Sequence, residues 1–260
     1  MSNIDANVKL GTYQMGQNPL VETTWLQFHN TSHSAWIIKV GNAVKLFKKI
    51  QELNPKHILE LGTGIGCSTS IIASACPEAS IYTVESNQKC IDVAKKMIPI
   101  TFQERIYFKK VQTVVAQIPI VNPLQYWSRY TEYDWKHFDF ILIDGPGPFT
   151  ISVPFEGKTY PACAELPNAD LIAMLPLMKE GTHIYIDGRK NAVGLYLRHL
   201  ARYLDVVEPL VKVGDSQMWD SLQGYILLKR NNKSLQVDLN DFDNSDMVFQ
   251  TLHQQGYFDK

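Results

Sequence analysis

The fold of this chain is decided by one short stretch, ELGTGIG at residues 60–66. It begins within the apolar run at 58–61 and is followed by a stretch of helical character at 68–75. Glycine lets a strand turn sharply into a helix, and its missing Cβ lets the backbone approach a ligand closely. The first turn of that helix then offers backbone N–H groups without partners. The stretch therefore predicts a strand, a ligand-binding turn and a helix, in that order.

Apolar runs and amphipathic stretches alternate on both sides of this turn. Such alternation predicts an α/β architecture of the Rossmann-like kind, a mostly parallel sheet with helices on both faces. In these sheets, ligands bind at the carboxyl ends of the strands. The predicted strands are 58–61, 81–84, 106–108, 138–143, 183–186, 206–213 and 225–228. The predicted helices are 34–54, which ends before Pro55, 68–75, 88–97, 171–178 with Asn168 as its cap, and 192–203.

The acid that opens the turn, Glu60, bears on the kind of ligand. Dinucleotide enzymes favour GxGxxG, in which a pyrophosphate meets the helix N-terminus. Here the third glycine comes one residue early, and Cys67 stands where that pattern has Gly or Ala. A carboxylate ahead of the glycines suits an amine-bearing ligand better than a pyrophosphate, because it can accept from an ammonium group directly or through water.

A second acid follows the next predicted strand. Glu85 comes 19 residues after Gly66, where a carboxylate can accept hydrogen bonds from both hydroxyls of a ribose. Both ligand classes use an acid at this position. Glu85 therefore indicates a nucleoside without choosing between them.

With these two acids and three glycines, the chain resembles the class I S-adenosylmethionine-dependent methyltransferases, whose first motif is E/D-x-G-x-G-x-G. The resemblance implies a seven-stranded sheet, S-adenosyl-L-methionine as the cofactor and methyl transfer as the activity. Gln112 stands where an acidic residue is common in that family, which leaves the adenine contact unassigned. The cofactor-binding residues that the resemblance implies are Glu60, Gly62, Thr63, Gly64, Gly66, Glu85, Ser86, Gln112 and Asp144.

Two later strands end in Asp-Gly, in the patterns LIDG and IYIDG. These patterns resemble the bacterial small-molecule and sugar O-methyltransferases, over roughly residues 55–190. Many of those relatives have Asp-Gly-Asp-His after the fourth strand of the domain and a further acid after the fifth, and these carboxylates hold a divalent metal. Here Pro146-Gly147 replaces Asp-His, and Arg189 follows the second Asp-Gly. A divalent metal could bind through Asp144 and Asp187 but is not favoured, and no metal ligand is assigned.

Methyl transfer requires an aligned acceptor and the removal of a proton. We expect Asp144 and Asp187 to be catalytic; no spacing singles out His29 or His33 as the base. The absence of a DPPY motif favours oxygen over nitrogen as the acceptor atom. Residues 145–167, rich in Pro and Gly, form a long predicted loop, which we interpret as a lid over the acceptor pocket. Arg189 and Lys190 could bind an anionic acceptor or lie in solvent.

Composition limits the partners and the location. Apolar residues make up 45% of the chain and charged residues 20%, as in an ordinary globular protein. The net charge of -1 gives no case for a nucleic-acid partner, whose phosphates call for a basic face. No secretory signal and no apolar run of about 18 residues is present. We therefore predict a cytoplasmic protein without a membrane span, with a small-molecule acceptor and a homodimer as an open option.

Three segments follow from these patterns. Residues 1–54 form a helical N-terminal extension whose first 30 residues look polar and irregular, residues 55–230 the cofactor-binding domain, and residues 231–260 a polar C-terminal tail. The predicted function is O-methylation of a small molecule or saccharide. The alternatives are a protein or RNA methyltransferase, an NAD-linked oxidoreductase and a non-catalytic module on a nucleotide-binding fold.

Overall fold

A computed structural model of the chain describes residues 14–32, 37–118, 125–130, 137–145, 154–155, 158–159, 168, 170–175, 178–187, 196, 200, 203–208 and 225–233. The helices are α1 (Pro19–His29), α2 (Val40–Leu53), α3 (Cys67–Ala75), α4 (Gln88–Met97), α5 (Ile100–Gln103) and α6 (Asp170–Met174). The strands are β1 (His57–Leu61), β2 (Ser80–Glu85), β3 (Ile106–Lys110), β4 (Thr113–Ile118), β5 (Gln125–Tyr130), β6 (Phe140–Ile143), β7 (Pro154–Phe155), β8 (Lys158–Thr159), β9 (His183–Asp187), β10 (Leu204–Glu208) and β11 (Tyr225–Arg230).

Seven of these strands form one sheet in the order β10-β11-β9-β6-β1-β2-β3. The five strands from β9 to β3 are parallel, and β11 is antiparallel to both of its neighbours. The predicted mostly parallel, seven-stranded sheet is confirmed. Strand β6 is buried along its whole length, since one apolar cluster covers each face of the sheet. One cluster includes residues of α1, α2 and α3, and the other includes residues of α6.

Helix α2 ends where the sequence predicts. Asn54 adopts a left-handed conformation with φ of 44° and caps the helix through its N–H, which donates to the carbonyl of Ile50. Pro55 then prevents continuation. The start differs from the prediction, because residues 37–39 are not helical and the helix begins at Val40.

Helix α1 was not predicted, because residues 1–30 look polar. The Asn18 side chain accepts from the backbone N–H of Val21, and Glu22 accepts from the N–H of Asn18 and of Gly16. This reciprocal capping satisfies donors at the helix start. Trp25 packs into the core together with Val21. The helix of three turns therefore buries only a narrow apolar stripe, while its other side chains are polar or exposed.

The segment from α3 to β3 is joined by one arginine. Arg105, directly before β3, donates to the carbonyls of Cys76 and Ala79 at 3.0 and 3.2 Å, and to the carbonyl of Ala73. These oxygens lie at or just beyond the C-terminal end of α3, where carbonyls lack helical partners. The guanidinium therefore holds the helix end against the start of β3.

Other elements depart from the sequence prediction in length or were missed. The antiparallel hairpin of β4 and β5 was not predicted; its strands pair with each other outside the main sheet, so they do not form a buried apolar run. Strand β10 begins two residues earlier than predicted, and α6 is shorter. The predictions that lie wholly or largely outside the described residues are the helix at 192–203, the lid at 145–167, the tail at 231–260, and the roles of His33, Arg189 and Lys190.

Candidate functional site

The glycine turn lies at the carboxyl edge of the sheet, between β1 and α3. Gly62, Gly64 and Gly66 all have positive φ, at 99°, 52° and 91°. The N–H groups of Gly62 and Thr63 both donate to the carbonyl of Val84, at 3.0 and 3.1 Å. The turn is thereby fixed to the end of β2, in a conformation that favours glycine.

Gly62 also touches the end of β6. A Cβ at this position would lie 2.6 Å from the backbone nitrogen of Gly145 and 2.9 Å from the carbonyl carbon of Asp144. The N–H of Asp144 donates to the carbonyl of Leu61 at 2.9 Å. Two glycines therefore allow the ends of β1 and β6 to meet backbone to backbone. The predicted close approach of this backbone to a ligand stays a prediction.

Glu60 lies beneath the turn. Its side chain is 0% exposed, and its carboxylate accepts hydrogen bonds from the hydroxyls of Ser68, Thr69 and Thr83 at 2.6, 2.6 and 2.7 Å. Burial raises the pKa of Glu60 to about 7 against the lowering effect of these hydroxyls. The carboxylate links β1, α3 and β2, and its expected contact with an ammonium group stays a prediction.

Glu85 closes the other side of the turn. One carboxylate oxygen accepts from the N–H groups of Ser86 and Asn87 at 2.8 and 2.9 Å, and the other accepts from the N–H of Gly64 at 2.9 Å. The hydroxyl of Ser86 adds a longer contact of 3.3 Å. A ribose hydroxyl would compete with this last contact, which is the weakest of the four. Binding of a ribose by Glu85 stays a prediction.

The two carboxylates expected to be catalytic follow adjacent strands. Asp144 follows β6 and Asp187 ends β9, and the two strands pair in register with Ile143 opposite Ile186. Adjacent strands lie about 4.8 Å apart, so both acids stand at the same edge of the sheet. Asp144 is half-buried and Asp187 is 8% exposed.

Asp187 and Gly145 are held by two asparagines whose contacts at the sheet edge the sequence did not indicate. The amide Nδ2 of Asn42 donates to Oδ1 of Asp187 at 2.5 Å, from the first turn of α2. The amide of Asn168 donates to the carbonyl of Gly145 at 2.8 Å, and its Oδ1 accepts from the N–H of Asp170, which confirms Asn168 as the cap of α6. Both asparagines are far along the chain from their partners, so no local motif could have indicated these contacts.

The remaining predicted residues lie less centrally. Ser86 is half-buried beside Glu85, and Gln112 is exposed between β3 and β4. His29 is exposed in α1 and stacks on Trp25, with ring centres 4.3 Å apart.

Among the described residues, no group of three or more His, Cys, Asp or Glu side chains could hold a metal ion. In the same part of the chain, no helix is long and apolar enough to cross a membrane.

Solved structures share this architecture. The O-methyltransferase TomG from Streptomyces achromogenes, involved in tomaymycin synthesis and solved with SAM, is 12% identical with a TM-score of 0.53, covering 83% of this chain and 91% of its own. An O-methyltransferase from Bacillus cereus solved with SAH is 15% identical with a TM-score of 0.50, covering 84% and 93%. The tRNA (m1A58) methyltransferase TrmI from Aquifex aeolicus is 17% identical with a TM-score of 0.51, covering 84% and 78%.

The chain has the class I methyltransferase fold. No protein-family profile matches it. A curated relative named transmembrane O-methyltransferase, from Propithecus coquereli, is 32% identical over 120 residues, which are 44% of this chain and 40% of the relative. The matching protein from Macaca mulatta is 32% identical over the same length and is covered to 38%. The chain thus spans less than half the length of these relatives, and the class I fold is what the solved structures have in common with it.

Proposed function

We propose that this chain is an S-adenosyl-L-methionine-dependent O-methyltransferase that acts on a hydroxyl group of a small molecule or saccharide. One observation carries the proposal. The glycine turn, with Gly62 and Gly64 half-buried and at positive φ, presents backbone without side chains at the carboxyl edge of the sheet. A backbone surface of this kind, bounded by Glu85 on one side and by Asp144 on the other, suits a nucleoside with an amino-acid tail.

The residues fit the cofactor by their chemistry. The backbone of Gly62, Thr63, Gly64 and Gly66 would line the amino-acid and ribose portions, and Glu85 would accept from the ribose. Ser86 and Gln112 follow β2 and β3 on the adenine side. The bound cofactor supplies a methyl group on a sulfonium, which is already a good leaving group.

The chain's own task is then to hold and deprotonate the acceptor. Asp144 and Asp187 stand at adjacent strand ends, so both can contact one hydroxyl that lies across the edge. One carboxylate accepts the hydroxyl proton as the oxygen attacks the methyl group, and the other, in its protonated form, donates a hydrogen bond that orients the oxygen. A divalent metal could bind through the same two carboxylates but is not favoured.

A hydroxyl acceptor is supported by the names of the similar proteins. Two of the structural neighbours and the curated relatives are named O-methyltransferases. The neighbour that acts on tRNA shares the fold equally well, so the fold alone does not choose the acceptor. The net charge of -1 favours a small molecule over RNA. A cytoplasmic location and a homodimer remain predictions, and the transmembrane name belongs to the relatives.

Cofactor binding provides the first test. We expect S-adenosylhomocysteine at about 100 times its dissociation constant to add roughly 2.7 kcal/mol and to raise the melting temperature by about 5–10 °C, whereas NAD should have no effect. The variant Glu85→Ala should lose the shift, and Glu104→Ala, which removes an exposed acid away from the turn, should keep it.

Transfer of labelled methyl groups to phenols, catechols and monosaccharides then tests the acceptor class. A shift with NAD alone would move the protein to redox chemistry. Binding of S-adenosylhomocysteine with transfer only to RNA or protein would overturn the small-molecule assignment.

A further inference from the structure

Asn42 is a buried amide in the first turn of α2, and its burial needs an explanation. It is 3% exposed, among apolar residues of the cluster that covers this face of the sheet. Burial of an amide costs free energy unless its polar atoms are hydrogen-bonded, and an apolar residue would avoid that cost. The amide instead donates to Oδ1 of Asp187, a residue 145 positions away in the chain.

The contact involves two residues of β9 and both the side chain and the backbone of Asn42. The hydroxyl of Tyr185 donates to the Asn42 carbonyl at 3.2 Å. Tyr185 and Asp187 are two residues apart in a strand, so their side chains lie on the same face. Asn42 therefore contacts the end of β9 at two residues, Tyr185 and Asp187, which lie on either side of Ile186.

A second polar attachment sets the position of α2 along the sheet. Lys49, two helical turns after Asn42, pairs with Glu208 at 2.5 Å. Glu208 also accepts from the hydroxyl of Tyr225 at 2.5 Å, and the Tyr225 ring stacks on Tyr185 with centres 4.7 Å apart. Two attachments on one helix face, seven residues apart, fix both the rotation and the translation of α2. The amide of Asn42 is thereby held at a defined place beside Asp187.

The neutral charge of the donor matters for the chemistry. A lysine or arginine at this position would stabilise the Asp187 carboxylate so strongly that it would be a poor base. An amide donates one hydrogen bond and leaves the negative charge in place. The Asn42 amide therefore restricts the side-chain torsion of Asp187, and it lowers the basicity of the carboxylate less than a cation would.

We infer that Asn42 is a positioning residue that sets the orientation of the Asp187 carboxylate toward the acceptor hydroxyl. The inference rests on the proposed function. By holding Oδ1, the amide determines where the second oxygen of Asp187 points. A misplacement of about 1 Å in such a group can cost about 100-fold in rate.

Two substitutions at Asn42 separate positioning from a structural role. Asn42→Ala removes the donor. Asn42→Leu keeps a similar volume at the buried position but has no polar atom that could donate to Asp187. The matched control is Val44→Ala, which weakens the packing of the same helix at a buried position without a polar contact to β9.

Three measurements are made on the wild type and all variants: the dissociation constant of S-adenosylhomocysteine, kcat and KM for the best acceptor of the transfer assay, and the Asp187 side-chain torsions in crystal structures. We expect both Asn42 variants to lower kcat about 10–100-fold, with KM and the dissociation constant within about threefold of wild type. Asp187 should adopt a different torsion in both, and Val44→Ala should leave kcat and the torsion unchanged.

The outcomes distinguish this inference from the proposed function. If wild type fails to bind S-adenosylhomocysteine, the proposed function is overturned. If wild type binds it but Asp187 keeps its torsion in Asn42→Ala, the positioning role is overturned, whether or not an acceptor has been found. An equal loss of kcat in Val44→Ala would also overturn it, since helix packing would then explain the effect.

Discussion

The two halves of the candidate site differ in how far apart along the chain their hydrogen-bonded residues lie. In the cofactor half, formed by the ends of β1 and β2, Glu60 and Glu85 bond to partners 1 to 23 residues away. In the acceptor half, formed by the ends of β6 and β9, the partners of Gly145 and Asp187 are 23 and 145 residues away. The two ranges meet at 23 residues, so the difference lies in the contact of Asn42 with Asp187, which ties the acceptor half to a helix 145 residues away in the chain.

This difference explains what each half can tolerate. The residues that hold the cofactor half together lie in or near the turn, so we expect it to be disrupted mainly by substitutions in the turn itself. The acceptor half is held by side chains of α2 and of the residues before α6, so substitutions distant in sequence should reach it. Three substitutions, taken from the largest expected effect to the smallest, test this contrast.

Gly62→Ala should be the most damaging. Its Cβ would lie 2.6 Å from the backbone of Gly145, which cannot move without breaking the pairing of β1 with β6, and its φ of 99° strains any other residue. We expect a loss of about 3 kcal/mol or more in unfolding free energy, measured by urea denaturation, and loss of S-adenosylhomocysteine binding.

The matched control for the backbone contact is Gly181→Ala. Gly181 has a similar φ of 87°, but its nearest neighbour would be 3.9 Å away, the end of the Lys229 side chain. Its cost should therefore be only the conformational one, about 1–2 kcal/mol. If the two substitutions lowered the unfolding free energy equally, the close contact between the ends of β1 and β6 would not contribute to stability.

Glu60 should make stability depend on pH. Its pKa is raised from an ordinary 4.5 to about 7 by burial, so between these values the folded state binds more protons than the unfolded state. Stability from this group is therefore present below about pH 4.5 and is lost as pH rises to about 7, by about 3 kcal/mol at most. Glu60→Gln should flatten the dependence of unfolding free energy on pH between 5 and 8.

The exposed Glu104 provides the comparison for that experiment. Glu104→Gln removes an acid that lies outside the buried core, and the slope should remain that of the wild type. If Glu60→Gln retained the wild-type slope, the titrating group would lie elsewhere, and the carboxylate beneath the turn would not be the source.

Asn168→Ala tests the acceptor half. Asn168 donates to Gly145 and accepts from the hydroxyl of Tyr196 at 2.7 Å, and both contacts are buried. Their loss should cost about 2 kcal/mol in unfolding free energy. Asn87→Ala in the cofactor half removes a cap of α4 that is exposed, and should cost about 1 kcal/mol or less. A larger loss at Asn87 would contradict the dependence of the acceptor half on long-range contacts.

The same contrast explains how much the sequence could predict. The strand, turn and helix around residues 58–75 and the helix α4 were predicted within one residue, because periodicity, glycines and caps act over a few positions. Asn168 was predicted as a helix cap, but its contact with Gly145 and the contact of Asn42 with Asp187 could not be predicted. An isolated asparagine in a helix or loop has no pattern that identifies a distant partner. The hairpin of β4 and β5 was missed because its strands do not belong to the buried sheet.

The burial of Glu60 shows a further limit. The motif indicates an acid at this position but not which way it faces, and alternation along β1 directs it to the face where α3 lies. Its three hydroxyl partners come from α3 and β2, whose packing no single-strand pattern describes. Helix α1 was missed for a related reason, because its cap and its buried stripe are short.

Arg105 has a consequence for the order in which the protein assembles. Its guanidinium joins the end of α3 to the start of β3 across 26 to 32 residues of sequence. Such loops are inexpensive to close, so we expect the segment from β1 to β3 to form early in folding, before β6 and β9 find their places. Its amides should exchange with solvent deuterium most slowly, and a nascent chain would already possess its cofactor turn while the acceptor half is still being synthesised.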